Sequence, residues 1–440
     1  MEKQAEGDCF EIMAPPIHVK LEIIMITRAD CIALDAKDPF KAHRQRFHIP
    51  EGMVYLDGNS LGLMPKSVPA RVADAVSRQW GDDLITSWNK NDWFTLPSTV
   101  GDKIARLVGG GSGNLIVADT ISINMFKLLT AALGLNRQRK IILSDSGNFP
   151  SDLYVAQGLN RFLADGHELK IVAPEDIAAN ITQDVAVVMI TEVDYRTCRR
   201  HDMKALCSLA HDKGCLIIWD LAHSAGAVPV DLLGADADFA VGCTYKYLNG
   251  GPGSQAFVWV HPRHQAFAEP ALVGWWGHAA PFAFELEWRP ASGLIRQQCG
   301  TQAILSLVAL DAAMDEWADV DMQILQQKSR SLCQTYIDLV EASCSKHGLK
   351  LAGPRDFNQR GSHVSFECNL ENKDAGYAVM QALIARRIIG DFRAPNIIRM
   401  GFAALYNSHV EVWDAANALS DIMEQHLWDD PVFLKKKAVT

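Results

Sequence analysis

The ten cysteines of this 440-residue chain form no C-x-x-C pair and no zinc-ligand spacing. That argues against a structural zinc site and against a thioredoxin-like redox centre. Scattered thiols, several inside apolar runs as at Cys215 and Cys243, read as small buried hydrophobes. They imply a reducing, cytoplasmic compartment. Positive charge is not in excess either: 42 Lys and Arg stand against 52 Asp and Glu, a net charge of −10. Nucleic acid is therefore not the expected partner. No apolar run approaches the roughly 18–20 residues that span a bilayer, so a membrane partner is not expected. Walker and dinucleotide fingerprints are missing. Gly109-Gly-Gly-Ser-Gly113 is not followed by the Lys-Ser/Thr of a phosphate loop and reads as a turn. Residues 1–24 carry charges and Pro15-Pro16 but no basic-then-apolar leader. They are expected to be a dispensable extension without fixed structure, with Met25 a second candidate start.

What is present is a soluble α/β pattern. Short β-branched runs at 140–144, 169–173, 185–191, 215–220, 239–244 and 255–260 alternate with helix-like segments at 151–164, 202–213 and 224–233. Strands apolar along their whole length predict a mostly parallel sheet covered on both faces. The last two runs are joined only by Asn249-Gly-Gly-Pro-Gly253, too short for a crossover helix, which predicts one antiparallel strand. Helices are expected over 120–135, 302–317 and 321–347. A smaller C-terminal α/β unit should follow, with runs at 362–369 and 397–402 around a helix near 373–387. The predicted division is 1–24 extension, 25–60 N-terminal segment, 61–309 large domain and 310–440 small domain.

Chemistry-bearing residues fall at strand ends, where open α/β sheets bind ligands. Asp220 closes the run Cys-Leu-Ile-Ile-Trp-Asp, and Lys246 follows the next run. A lysine that forms an imine and a carboxylate that keeps a pyridine nitrogen protonated are what pyridoxal phosphate requires of a protein. Each has a plainer reading, Asp220 as a helix cap and Lys246 as a solvated strand end. Tyr245 can donate to a phosphate or move a proton, or it can be a half-buried strand aromatic. Ser122, at a helix start, offers a hydroxyl beside free backbone N–H groups, suited to a phosphate or to a simple cap. Phe149 can stack on a flat ring, and Ser151 or Asp152 is expected to cap the helix behind it. Arg399, inside an apolar run, needs an anionic partner: a substrate carboxylate or a structural salt bridge.

Taken together, several segments resemble the kynureninase family in its bacterial form. They are Tyr55-Leu-Asp-Gly-Asn-Ser-Leu-Gly62, Phe149-Pro-Ser-Asp152, Trp219-Asp-Leu-Ala-His-Ser224, Thr244-Tyr-Lys-Tyr-Leu-Asn249, Leu272-Val-Gly-Trp275 with Gly277-His278, and Arg399 followed by Leu405-Tyr-Asn407. The matches run from about residue 30 to 430. The resemblance implies the fold-type-I architecture of the aspartate aminotransferase superfamily, with pyridoxal 5'-phosphate as cofactor and a homodimer with active sites at its interface. It implies hydrolysis of L-kynurenine, and of its 3-hydroxy form, to the anthranilate and L-alanine in tryptophan catabolism. By the same resemblance Lys246 would carry the cofactor, Asp220 would meet its ring nitrogen and Phe149 would cover its ring. Ile121, Ser122, Tyr245, Trp275 and Thr301 would surround the phosphate, some of them from the partner subunit. Asp152, Thr191 and His223 would line the cofactor site, and Arg399 would hold the substrate carboxylate. Lys246, Tyr245 and Asp220 would be the catalytic groups. Position 122 is Ser where relatives often carry Thr, which keeps the hydroxyl. Trp88, Asn89 and His278 are candidates for the aromatic end of the pocket. Rival readings are a cysteine desulfurase, which needs a reactive Cys on a mobile loop where Cys368 instead sits in a strand-like run, an aminotransferase, or a scaffold that has lost catalysis.

Overall fold

The computed structural model describes residues 26–436. Its larger sheet has seven strands: β1 (Leu115–Val117), β2 (Ile141–Asp145), β3 (Glu168–Val172), β4 (Val185–Thr191), β5 (Leu216–Asp220), β6 (Phe239–Gly242) and β7 (Phe257–Val260). The spatial order is β1-β7-β6-β5-β4-β2-β3. Every pairing is parallel except those of β7, which runs against both β1 and β6. The expected single antiparallel strand is therefore β7. The strand β1 had no counterpart among the expected runs.

Helices cover both faces. Along β4 every residue is buried. Val187 and Met189 pack with Met125, Leu128 and Ala156 from α1 (Ile121–Leu135) and α2 (Pro150–Leu163). Val188 and Ile190 turn the other way, into the cluster holding Met203, Leu206 and Ala210 of α3 (Met203–Asp212). Alternation across the pleat, with both faces dry, is why β4 reads as one unbroken apolar run. Asp202 caps α3 by accepting from Ala205 N at 3.0 Å. The helix expected over 224–233 does not form. That stretch is a series of turns, since Gly226 takes φ +78° and Pro229 lacks the N–H a helix interior needs.

Beyond α4 (Ile304–Asp315) and the long α5 (Met322–Cys344) lies a second, four-stranded antiparallel sheet. Its strands are β8 (Leu349–Leu351), β9 (His363–Cys368), β10 (Asp391–Arg393) and β11 (Ile397–Gly401), in the order β10-β11-β9-β8. The helix α6 (Ala375–Ala385) packs on it, α7 (His409–Glu424) packs on α5 and α6, and Ser408 and Glu411 close a capping box on α7. The segment 54–62 stitches the two sheets together. Val54–Tyr55 pairs with Ile388–Ile389. Gly401 N donates to Leu56 O at 2.7 Å, and Gly62 N donates to Tyr245 O at 2.8 Å. Gly62 is required by that approach: a Cβ there would lie 2.2 Å from the Lys246 carbonyl oxygen.

Candidate active site

The carboxyl ends of the parallel strands open onto a cavity of about 390 Å³. Thr191 ends β4, Asp220 ends β5, and Tyr245 and Lys246 follow β6. All four line the cavity. Ile121 and Ser122, at the start of α1, and Phe149 and Asp152, at the start of α2, line it too. His223 completes the set of expected residues brought together there. Tyr195, Thr120, Ala222 and Ser254 also line it, and no reading of the sequence had singled them out. Tyr195 lies four residues beyond the end of β4, so its place on the same edge of the sheet was the available signal.

The lysine loop is held from outside. Asn249 Nδ2 donates to Leu63 O at 2.9 Å, and Asn249 N donates to Lys246 O at 3.0 Å. Lys246 Nζ lies 3.0 Å from His223 Nε2. It also stands about 6 Å from the ring centres of Phe149 and Tyr245, at the outer limit of cation–π range. His223 is buried, and its Nδ1 has no partner. Burial, with the charges of Lys246 and Arg399 adding to it, holds its imidazole well below the usual range, so it is neutral. A neutral Nε2 accepts from the lysine and fixes where the amine points.

Two carboxylates share the cavity. Asp220 Oδ1 accepts from Ala222 N at 2.9 Å. Burial pushes its pKa up to about 6, against the pull of Lys246. Asp152 is fully buried, and neither of its oxygens has a partner. Burial first, and the charge of Asp220 second, raise it well above the carboxylate range. Asp152 therefore does not cap α2 as expected, and Ser151 does not either: the N-cap position belongs to Phe149, with no side-chain cap. Phe149 N is met instead by Asn148 Oδ1 at 2.8 Å. At α1 the cap is Thr120, whose Oγ1 accepts from Ile123 N, leaving Ser122 free within the first turn. The Tyr245 phenol is raised by burial and keeps its proton.

Three expected residues lie outside the cavity lining. Thr301 is exposed. Trp275 is 40% exposed and packs on Trp276 and Phe282, with ring centres 4.7 and 5.4 Å away. Arg399 is buried on β11 and paired with Asp391: Nε donates to Oδ1 at 2.7 Å and Nη2 to Oδ2. Its Nη1 donates to the carbonyl of Tyr195, the residue whose ring meets Phe149 edge-on at 5.1 Å. Of the candidates for the aromatic end, Trp88 packs between Trp93 and Trp276, and His278 turns toward the carbonyl of Glu287. Cys368 is buried in β9, where burial lifts its thiol to about 12.

A family model described as the kynureninase C-terminal domain matches residues 325–419. The chain is 48% identical over 421 residues to a protein named kynureninase from Pseudomonas fluorescens, covering 94% of this chain and all of the relative. A kynureninase from Burkholderia pseudomallei (strain 1106a) matches at the same identity and coverage. Among solved structures, an apo cysteine desulfurase from Thermococcus onnurineus superposes with a TM-score of 0.71 at 18% identity, over 88% of this chain and 98% of that one. A C-DES mutant with glycine covalently linked to its PLP cofactor gives 0.71 at 16% identity, over 86% and 99%. At such identities these two likenesses concern the fold alone, the fold-type-I α/β architecture.

Proposed function

The chain belongs to the kynureninase family, and on that premise we propose that it hydrolyses L-kynurenine, and its 3-hydroxy form, to the corresponding anthranilate and L-alanine with pyridoxal 5'-phosphate. The observation that carries the reading is the meeting of Lys246 with two buried carboxylates, Asp220 and Asp152, in one cavity at the carboxyl edge of the sheet. The donor set fits the cofactor. The unpartnered oxygens of Asp152, and Asp220 with a single N–H donor, call for a cationic N–H, which a protonated pyridine ring provides. The first turn of α1 offers N–H groups and the Ser122 hydroxyl to a phosphate. Phe149 offers a flat face for the ring.

When bound, the cofactor supplies an electron sink for the pair left at the substrate's α-carbon. The chain's own groups do the rest. Asp220 would pair with the ring nitrogen, its ionised form favoured once a cation sits beside it. Lys246 would hold the cofactor through its amine and, as a free amine, would take the α-proton as a base. His223 accepts from its amine and so aims it. The Tyr245 phenol, kept protonated by its surroundings, donates toward the alanine fragment. Arg399 is the residue we assign to the α-carboxylate. Water is consumed at the aryl ketone, and the β–γ bond breaks to give the two products. The test is direct: L-kynurenine with cofactor-loaded protein should yield fluorescent anthranilate and equimolar L-alanine. Lys246→Ala should lose both turnover and the visible absorbance of covalently held cofactor. Release of glutamate or formation of persulfide instead would replace this reading.

We further propose a homodimer. Phe94, Trp275, Phe282 and Phe284 are exposed, and Phe94 and Trp275 both touch Phe282. An exposed aromatic patch of this kind suits an obligate interface. A second copy is also the route by which Trp275 and Thr301 reach a cofactor site. Light scattering should give twice the chain mass, and Phe282→Asp should lower it. Nine free cysteines among the described residues accord with a reducing cytoplasm, and no helix among those residues is long and apolar enough to cross a membrane.

A further inference from the structure

Arg399 belongs to a charged cluster whose other members, Asp391 and Arg393, have no role in the steps above. Strands β10 and β11 pair so that Asp391 stands opposite Arg399, and alternation along β10 puts Arg393 on the same face as Asp391. The donors of Arg399 are almost all committed. Besides Asp391 and the Tyr195 carbonyl, Nη2 reaches Ser60 Oγ at 3.1 Å. The amide of Asn59, turned so that its oxygen faces the guanidinium, accepts at 2.9 and 3.0 Å. The side chain is 1% exposed.

Arg393 differs on each count. Its ties run through Nη2 alone, to Asp391 Oδ2 at 2.5 Å and Ser60 Oγ at 3.2 Å. Its Nε is buried without a partner, and its side chain is 34% exposed. One carboxylate thus serves two guanidinium groups. The neighbouring Asp57 does little to restore the balance: burial, and then the charge of Asp391, push its carboxyl up to about 7, and its Oδ1 has no partner. The excess positive charge lies against Tyr195, through the Arg399 bond to its carbonyl. The field of Arg393 is also felt at His223 and Tyr245, and all three residues line the cavity. An orphaned guanidinium N–H beside a partly open Nη edge is suited to a carboxylate, which can take both donors at once.

We propose that Arg393, together with Arg399, receives the α-carboxylate of the amino-acid substrate, with Asp391 holding the two guanidinium groups in place. This rests on the kynurenine reading above. It makes Arg393 the more accessible half of the subsite and Arg399 the buried half.

The test uses two ligands that differ only in that carboxylate: L-kynurenine as substrate and its decarboxylated amine as competitive inhibitor. Arg393→Gln should raise KM for kynurenine on the order of 10- to 100-fold, the worth of a hydrogen bond to a charged group, with kcat little changed. The inhibition constant of the amine should stay within about twofold, because the amine has no carboxylate to lose contact with. Arg393→Lys should fall between, keeping the charge and losing the fork. Equal weakening of both ligands, or of neither, overturns the assignment. If Arg393→Gln lacks the cooperative thermal transition of the parent, the same ratio measured in Arg393→Lys decides. A parent inactive on kynurenine overturns the functional reading and this one together. An active parent with an unchanged ratio overturns this one alone.

Discussion

Asp152 and Asp220 face the same cavity as buried carboxylates, and of the two only Asp220 has a hydrogen-bond donor, the amide of Ala222. Both are raised above the ordinary carboxylate value, chiefly by burial. A raised acid binds its proton more tightly in the folded state. Folding is therefore penalised as pH climbs from the unfolded value through the folded one.

The expected outcome concerns the cofactor-free protein. Well below its ordinary value of 3.8 Asp220 is protonated folded or unfolded and costs nothing. As pH rises through 3.8 toward about 6 the cost grows, and above about 6 it is complete. Asp220→Asn should make the cofactor-free protein more stable than the parent at pH 8, by up to about 3 kcal/mol, and nearly equal to it at pH ~3. Urea denaturation at the two pH values measures this. Saturating pyridoxal phosphate should reverse the order, because the ring cation then favours the ionised parent.

Gly62 offers a second test, on the scaffold rather than the chemistry. Its missing Cβ makes room for the Lys246 carbonyl at 2.2 Å and the Asn249 Cα at 2.9 Å, both backbone atoms that cannot swing aside. Gly62→Ala should cost roughly 1–3 kcal/mol, as overpacking does. It should also shift the lysine loop enough to lower the visible absorbance of bound cofactor. A variant with normal melting temperature and normal absorbance would show that the loop yields freely.

How far the sequence could be read depended on whether the signal was local. The run at β4 is legible because all seven of its residues are buried and β-branched or apolar residues dominate it. Lys246 and Asp220 are legible because strand ends in a parallel sheet point to one edge. Three-residue β1 left no such trace. Residues 224–233 carried a helix-like spacing that Gly226 and Pro229 override. Asp152 looked like a cap because acidic residues in a first turn often are. Its partnerless burial depends on the cavity that the start of α2 borders, which Asp220 and Lys246 line from far along the chain. The Asp391–Arg399 pair arises from strand register, and the motif at 57–60 gains its meaning only when Ser60 is seen between two arginines.

That pair yields a third expectation. Asp391 is buried, yet Arg399 and Arg393 together hold its carboxyl below the ordinary range. Removing its charge leaves Arg399 buried and uncompensated. Asp391→Asn should destabilise the protein by about 3–5 kcal/mol, the usual result of breaking a buried pair from one side. Replacing both partners, as in Asp391→Leu with Arg399→Leu, should cost less in urea denaturation than the single change, though it should abolish activity. A single variant no less stable than the double would mean that the pair is solvated.

The last expectation separates this chain from the desulfurases that share its fold. A desulfurase requires a thiolate that reaches the substrate sulfur. Cys368 lies inside β9, 5% exposed, with its thiol lifted to about 12. A thiol of that pKa is almost wholly protonated at pH 8, and a strand residue with neighbours on both sides cannot swing to the cavity. Iodoacetamide should therefore modify Cys299, the one partly exposed cysteine among the described residues, well before Cys368 in the native protein. Cys368→Ala should keep kynurenine turnover near the parent's, and incubation with L-cysteine should leave no persulfide on residue 368. Peptide mapping after alkylation reads Cys299 and Cys368 at once: early labelling of Cys368, or a persulfide there, would move the chemistry toward sulfur transfer whatever the rate with kynurenine.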